Sequence, residues 1–184
     1  SGLIAMGLDE KDELGWVKLT TGKDDILLVT RNGQALRINE GEIRSMGRPA
    51  AGVTGIKFKN DDRLAAMEVA EEKGELLIVT ENGFGKRTAL KEYPKKGRAT
   101  GGVMTIDQKH MDKVGHIVAA RVVQDEDEMS FISSGGIMLR LKVKDISSTG
   151  RNTRGFRLMD LGKGDLVASI ARNIFSQVDT DNNK

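Results

Sequence analysis

The apolar positions of this chain fall into short runs that recur with a long period. Ile26–Val29, Leu76–Val79 and Met129–Ile132 are four-residue, largely apolar runs bounded by polar residues. Runs of that length, rich in β-branched and aliphatic residues, are too short for a typical helix and predict buried β-strands. Each is followed by a turn dipeptide, Asn32-Gly33, Asn82-Gly83 and Gly135-Gly136. Such pairs supply the positive φ angles of a two-residue type I′ hairpin. A returning strand comes next, at Gln34–Ile38, Phe84–Thr88 and Ile137–Leu141, with an arginine at the same place in each: Arg37, Arg87 and Arg140.

After the hairpin a phrase repeats: Gly-Arg, three variable residues, Gly, then an apolar residue. Its copies are Gly47–Val53, Gly97–Val103 and Gly150–Phe156, beginning 50 and then 53 residues apart. A near-constant period of that size indicates a repeat architecture. A third strand is predicted from the second glycine of each phrase, at Gly52–Phe58, Gly102–Ile106 and Gly155–Met159. An acidic turn (Asp61-Asp62, Asp112, Asp165) then leads to a fourth at Leu64–Val69, Val114–Val123 and Leu166–Ile170. Leu14–Leu19 reads as one more fourth strand with no repeat before it, and the chain opens inside the pattern, as expected of a piece of a longer protein. Four strands in about 50 residues make a propeller-type blade. The expectation is an all-β, propeller-like disc of four-stranded blades with about four blades' worth present. A partial blade covers 1–22, repeats cover 23–72, 73–124 and 125–175, and a polar tail from Ser176 to Lys184 is expected to be disordered.

Composition narrows the class. The 184 residues hold 22 glycines, two prolines and no cysteine. Abundant glycine without proline suits many tight turns, and the missing thiols exclude disulfides and thiolate metal sites and suit a reducing compartment. Apolar runs of a few residues are too short for a membrane helix. The formal charge of +2 hides an alternation: the segments 1–30, 31–59, 60–83, 84–109, 110–135, 136–163 and 164–184 carry −3, +4, −5, +5, −3, +5 and −1. Every repeat has a basic half and an acidic half, so stacked repeats align their basic halves into a stripe.

The basic halves supply the candidate chemistry. Arg37, Arg44 and Arg48 belong to the first; Lys86, Arg87, Lys91, Lys95, Lys96 and Arg98 to the second; Arg140, Lys142, Lys144, Arg151 and Arg154 to the third. Arginines beside glycine-rich loops with free N–H groups suit phosphate oxygens, and a regular row of them suits a regular polyanion. Aromatic residues are only 4% of the chain, which disfavours a base-stacking surface for single strands and favours duplex backbone. On this reading Arg48, Arg98 and Arg151 point outward from equivalent places. No enzymatic constellation accompanies them. His110 and His116 have no ligand partners at metal spacing, Gly83–Arg87 lacks the spacing of a phosphate loop, Asp125–Glu128 lacks that of a calcium loop, and Tyr93 lies in a loop without an activating group.

Several stretches resemble the C-terminal domain family of DNA gyrase A subunits. They are Ile26–Gly33, Arg44–Arg48 continuing through Gly52–Ile56, Thr80–Thr88, Glu92–Pro94 and Gly150–Gly155, and the similarity runs from about residue 3 to 172. The resemblance implies a β-pinwheel, a propeller-like disc whose blades exchange strands, with duplex DNA wrapped around a basic rim in support of negative supercoiling. It implies as partners the ATPase B subunit of the same enzyme together with the N-terminal part of the gyrase A polypeptide. It also implies a bacterial cytoplasmic, nucleoid-associated setting, no cofactor and no membrane, with this piece monomeric. The related topoisomerase IV subunit is the close alternative. Two departures stand out. The family domain carries more blades than this chain, and its Gln-Arg-Arg-Gly-Gly-Lys-Gly box is missing, with Lys95–Gly102 only a degenerate echo. The family's catalytic tyrosine belongs to another part of the longer polypeptide, so this chain is not expected to cleave DNA. The competing expectation is a protein-docking propeller, which explains the repeat but not the charge alternation.

Overall fold

Each apolar run and its returning partner form an antiparallel hairpin. The computed structural model describes residues 2–173. In the first repeat β1 (Asp25–Thr30) pairs with β2 (Gln34–Asn39), and β3 (Leu64–Val69) flanks β1 on its other side. The second repeat contains β4 (Glu75–Thr80), β5 (Phe84–Ala89), β6 (Val103–Met104) and β7 (Ile117–Val123). The third contains β8 (Glu128–Ser133), β9 (Met138–Lys142), β10 (Phe156–Arg157) and β11 (Val167–Asn173). The sheets run β3-β1-β2-β6, β10-β5-β4-β7 and β11-β8-β9. Thus β6 pairs with β2, and β10 with β5, each completing the sheet of the repeat before its own. This is the all-β, strand-exchanging pinwheel that the resemblance implies.

The second glycine of the phrase is explained by that exchange. A Cβ on Gly102 would lie 2.4 Å from the Ala35 carbonyl oxygen, and one on Gly155 would lie 2.6 Å from that of Gly85. No side chain fits where the incoming backbone lies so close to the preceding repeat.

The central strand of each blade is buried on both faces. On β4, Leu76 and Ile78 pack toward the first repeat with Leu27, Val29 and Ala66, while Leu77 and Val79 pack toward the third with Phe131, Val167 and Ile170. The period of two therefore sends alternate side chains to two different blade interfaces.

Four expectations need correction. The hairpin turns are not type I′: Asn32, Asn82 and Gly135 do not have positive φ, whereas Gly33, Gly83 and Gly136 do, at 89°, 81° and 86°. The N–H groups of these three glycines donate to Thr30, Thr80 and Ser133 oxygens at 3.1, 3.0 and 3.0 Å, giving three-residue turns that end in a left-handed glycine. A hydroxyl selects this form: Thr30, Thr80 and Ser133 accept the N–H of Gln34, Phe84 and Ile137 at 3.0, 3.3 and 3.1 Å. Second, the third strands are two residues long at most, and Gly52–Phe58 contributes only an isolated bridge from Ile56 to Thr100. Third, Val114 closes a single helical turn, α1 (Met111–Val114), before β7 begins. Fourth, Leu14–Leu19 forms no strand, and Val17 and Leu19 are exposed. The tail from Ser176 to Lys184 lies outside the described residues.

Candidate nucleic-acid interface

The returning-strand arginines serve the blade rather than its surface. Arg37 is half-buried, bonded to Asp25 at 2.7 Å and to the Leu90 carbonyl at 3.1 Å. Arg87 is buried; it pairs with Glu75 at 2.7 Å and with Asp125, and its Nε donates to the Ile146 carbonyl at 2.7 Å. Each joins the acidic start of its own hairpin to the backbone of the next repeat. Burial alone would push the Asp25 carboxyl up, but Asn39, Lys95 and Arg37 together hold it below its ordinary value. Arg37 and Arg87, expected at the interface, are therefore corrected to structural clamps. Arg140 makes the same pair more loosely, 3.7 Å from Glu128, and stays exposed.

Lys86 is the second correction. Its side chain is fully buried, and Nζ donates to the Gly150 and Arg151 carbonyls at 2.7 and 2.5 Å and to Thr153 Oγ1 at 3.0 Å. Burial lowers its pKa to about 8, opposed by the Glu92 charge. Lys86 holds the third phrase in shape and is not available to an outside phosphate.

The phrases themselves are linked into a track. The backbone N–H of Arg98 donates to Glu42 at 3.0 Å and that of Arg151 to Glu92 at 3.1 Å, both carboxylates lying in the short 3-10 turns that follow β2 and β5. Lys57 N donates to the Thr100 carbonyl at 2.9 Å and Asp107 N to that of Thr153 at 3.2 Å, so each phrase lies beside the third-strand segment of the repeat before it. The two following arginines then diverge. Arg98 is exposed, with Nη1 3.5 Å from the Thr54 carbonyl. Arg151 is half-buried and donates to the Met104 carbonyl at 2.9 Å. The expectation of three outward guanidinium groups is thus corrected at Arg151, whose place at the surface falls to the exposed Arg154.

Arg44, Arg48, Lys91, Lys95, Lys96, Arg98, Lys142, Lys144 and Arg154 are all exposed. Lys95 also lies 2.9 Å from Asp25. Sequence reasoning passed over Lys57 and Lys59, exposed on the first third-strand segment, and left out Arg157, which is exposed over the Phe84 ring at 5.3 Å. Their position just after a phrase was the available signal.

Several carboxylates of the acidic halves are paired across repeats. Glu68 binds Lys18 and Arg121 at 3.0 and 3.1 Å, and Glu71 and Asp127 bind Arg172 at 2.5 and 2.6 Å. Carboxylates thus neutralise arginines between repeats, while the cations around the phrases remain in solvent. Tyr93 is buried, its hydroxyl 2.5 Å from Thr105 Oγ1 and its pKa pushed up by burial. His110 is bonded to Asp107 at 2.8 Å and His116 is exposed. Among the described residues no group of three or more His, Cys, Asp or Glu could hold a metal ion, and no helix is long and apolar enough to cross a membrane.

Comparison with known proteins gives a consistent picture. The family of the DNA gyrase C-terminal domain, described as a β-propeller, matches residues 24–71, 74–124 and 127–173. The DNA gyrase A protein of Haloquadratum walsbyi is 42% identical over 170 residues, which are 92% of this chain and 20% of that protein. Among solved structures, a DNA gyrase A C-terminal domain superposes with a TM-score of 0.87 at 27% identity, covering 94% of this chain and 58% of that one. The C-terminal domain of a DNA topoisomerase IV superposes with a TM-score of 0.82 at 28% identity, covering 90% of this chain and 52% of that one. The chain spans about a fifth of the length of the curated relatives it matches.

Proposed function

The chain belongs to the DNA gyrase C-terminal domain family, and from that premise we propose that it binds and bends duplex DNA along its linked phrases. The observation that carries the reading is the track itself: each phrase lies beside the third-strand segment of the repeat before it, with Arg48, Lys96, Arg98 and Arg154 in solvent, while Glu68 and Glu71 are tied up with arginines of other repeats. Cations at a regular interval recognise phosphate without reading sequence. The role is non-catalytic, and the burial of Tyr93, the only tyrosine, supports that. In a longer protein the module would support negative supercoiling by a type IIA topoisomerase, with the rest of the gyrase A polypeptide and the ATPase B subunit, in the bacterial cytoplasm. A topoisomerase IV C-terminal domain is the second reading, favoured by the superposition at 28% identity, and it shares the same contact chemistry.

Titration of a labelled duplex at a series of salt concentrations tests this. Each neutralised phosphate contributes a log–log slope of about −0.9, so about five contacts weaken binding by about 500-fold between about 50 and 200 mM salt. Arg98→Ala lowers the slope by about one unit with stability unchanged within about 0.5 kcal/mol. Arg87→Ala does the reverse, costing about 2–4 kcal/mol of stability because it strands Glu75, and leaving the slope intact. An affinity flat across that salt range would sink the proposal.

A further inference from the structure

We propose that Lys86, buried behind the third phrase, is the positioning residue that shapes that phrase for a duplex phosphate backbone, and that seating the duplex draws a proton onto its amine. The inference rests on the duplex-binding reading.

The lysine is not there to build the blade. Leu36 and Leu139 hold the same place in the other repeats, where an aliphatic side chain suffices. Burying an ammonium is costly unless its N–H groups find acceptors. Lys86 has three acceptors for its three N–H groups, all from the third phrase: the Gly150 and Arg151 carbonyls and Thr153 Oγ1. The Thr153 hydroxyl in turn donates to the Gly150 carbonyl at 3.0 Å and lies 2.9 Å from Thr149 Oγ1. A neutral amine has two N–H groups and a lone pair, so it leaves one of these acceptors without its donor.

The grip shows in the backbone. The second phrase keeps the inner bond, from Thr100 Oγ1 to the Gly97 carbonyl at 2.6 Å, but has Leu36 where the third has the amine. There Ala99 takes a left-handed φ of 57°, and Arg98 and Thr100 are exposed. In the third phrase Asn152 has no positive φ, and Arg151 and Thr153 are half-buried, with Arg154 left outward. Two consecutive carbonyls turned onto one buried charge account for the difference.

The charges around the amine set its response. Glu92 and Asp107 favour the ammonium and Arg151 opposes it; Asp107 also pairs with His110, and Tyr93, pushed up by burial, is neutral in the same range. Burial outweighs them, so the amine of the free chain gives up its proton near pH 8. A phosphate held by Arg154 brings negative charge to the other side of the same loop and favours the ammonium. The bound chain therefore keeps the proton where the free chain has lost it, and by linkage affinity falls as pH rises past about 8.

Anisotropy of a labelled duplex, titrated at constant salt from pH 7 to about 9.5, tests this with the wild type, Lys86→Met and Lys86→Leu. The wild type loses about five- to tenfold in affinity across the range, while both variants bind more weakly at about pH 7 and show no such loss. Calorimetry at about pH 8.5 in two buffers of different ionisation heat reads the proton directly: about half a proton is taken up per wild-type chain that binds, and none by either variant. Variants that match the wild type in affinity and pH profile, or that are weaker by the same factor at every pH as a purely structural lysine would make them, overturn the inference and leave the duplex-binding reading standing. A wild type that binds no duplex removes both.

Discussion

At the scale of single residues, Lys86 best shows how position overrides composition. Leu36 and Leu139 hold its place in the other repeats, so a lysine there was the visible sign of an interior role. What the sequence did not reveal is its partners, two carbonyls and a hydroxyl from 64 to 67 residues away. Its lowered pKa has a consequence of definite sign. Below about pH 8 Lys86 is charged in both folded and unfolded chains; between about 8 and its ordinary value of 10.5 the unfolded chain binds the proton more tightly. Stability from this group therefore rises with pH across that window, by about 3 kcal/mol at most. Urea denaturation of wild type and Lys86→Met from pH 7 to 10 checks it: the wild type gains on the variant as pH rises, and a constant difference refutes the assignment. The clamps Arg37 and Arg87 were equally visible as repeated residues, but a repeated arginine reads the same whether it faces solvent or a carboxylate.

At the scale of elements, strands buried on both faces were legible because short aliphatic runs have few alternatives. Turn type was not, since it depends on a hydroxyl three residues before the glycine. Nor was the partner of the third strand, because a chain's order does not say which neighbouring sheet a two-residue strand will join. The hairpin glycines give a test of that joining. A Cβ on Gly83 would sit 2.4 Å from the Met159 carbonyl oxygen, delivered by the following repeat, whereas one on Gly136 meets nothing within 4 Å. Both positions have positive φ, so Ala costs each about 1 kcal/mol through backbone strain. Gly83→Ala adds the collision and should cost at least about 2 kcal/mol more than Gly136→Ala in chemical denaturation. Equal losses would mean that the strand of the third repeat does not press on the second.

At the scale of the whole molecule, alternating charge was legible as a stripe, yet half of its meaning lay in pairing. The acidic halves meet arginines of other repeats, which a linear charge count cannot show. If the chain bends duplex DNA as proposed, the remaining cations must act together, since the duplex has a persistence length of about 150 bp and bending it costs energy that only consecutive contacts offset. Arg98 lies in the middle phrase, so Arg98→Ala should reduce bending of a short end-labelled duplex, read by energy transfer at matched occupancy, more than Arg48→Ala does. Equal transfer with wild type and Arg98→Ala would contradict a continuous track. Strand exchange has a consequence of another kind. The outer strand of a blade is encoded in the following repeat, so the cassette a gene duplicates and the body that folds are out of step by one strand. Inserting or deleting one cassette of about 50 codons leaves the type of every internal seam unchanged, because each seam is already made between consecutive cassettes. Lineages can lengthen or shorten such an array without inventing a new contact, and only its two ends have to be answered for.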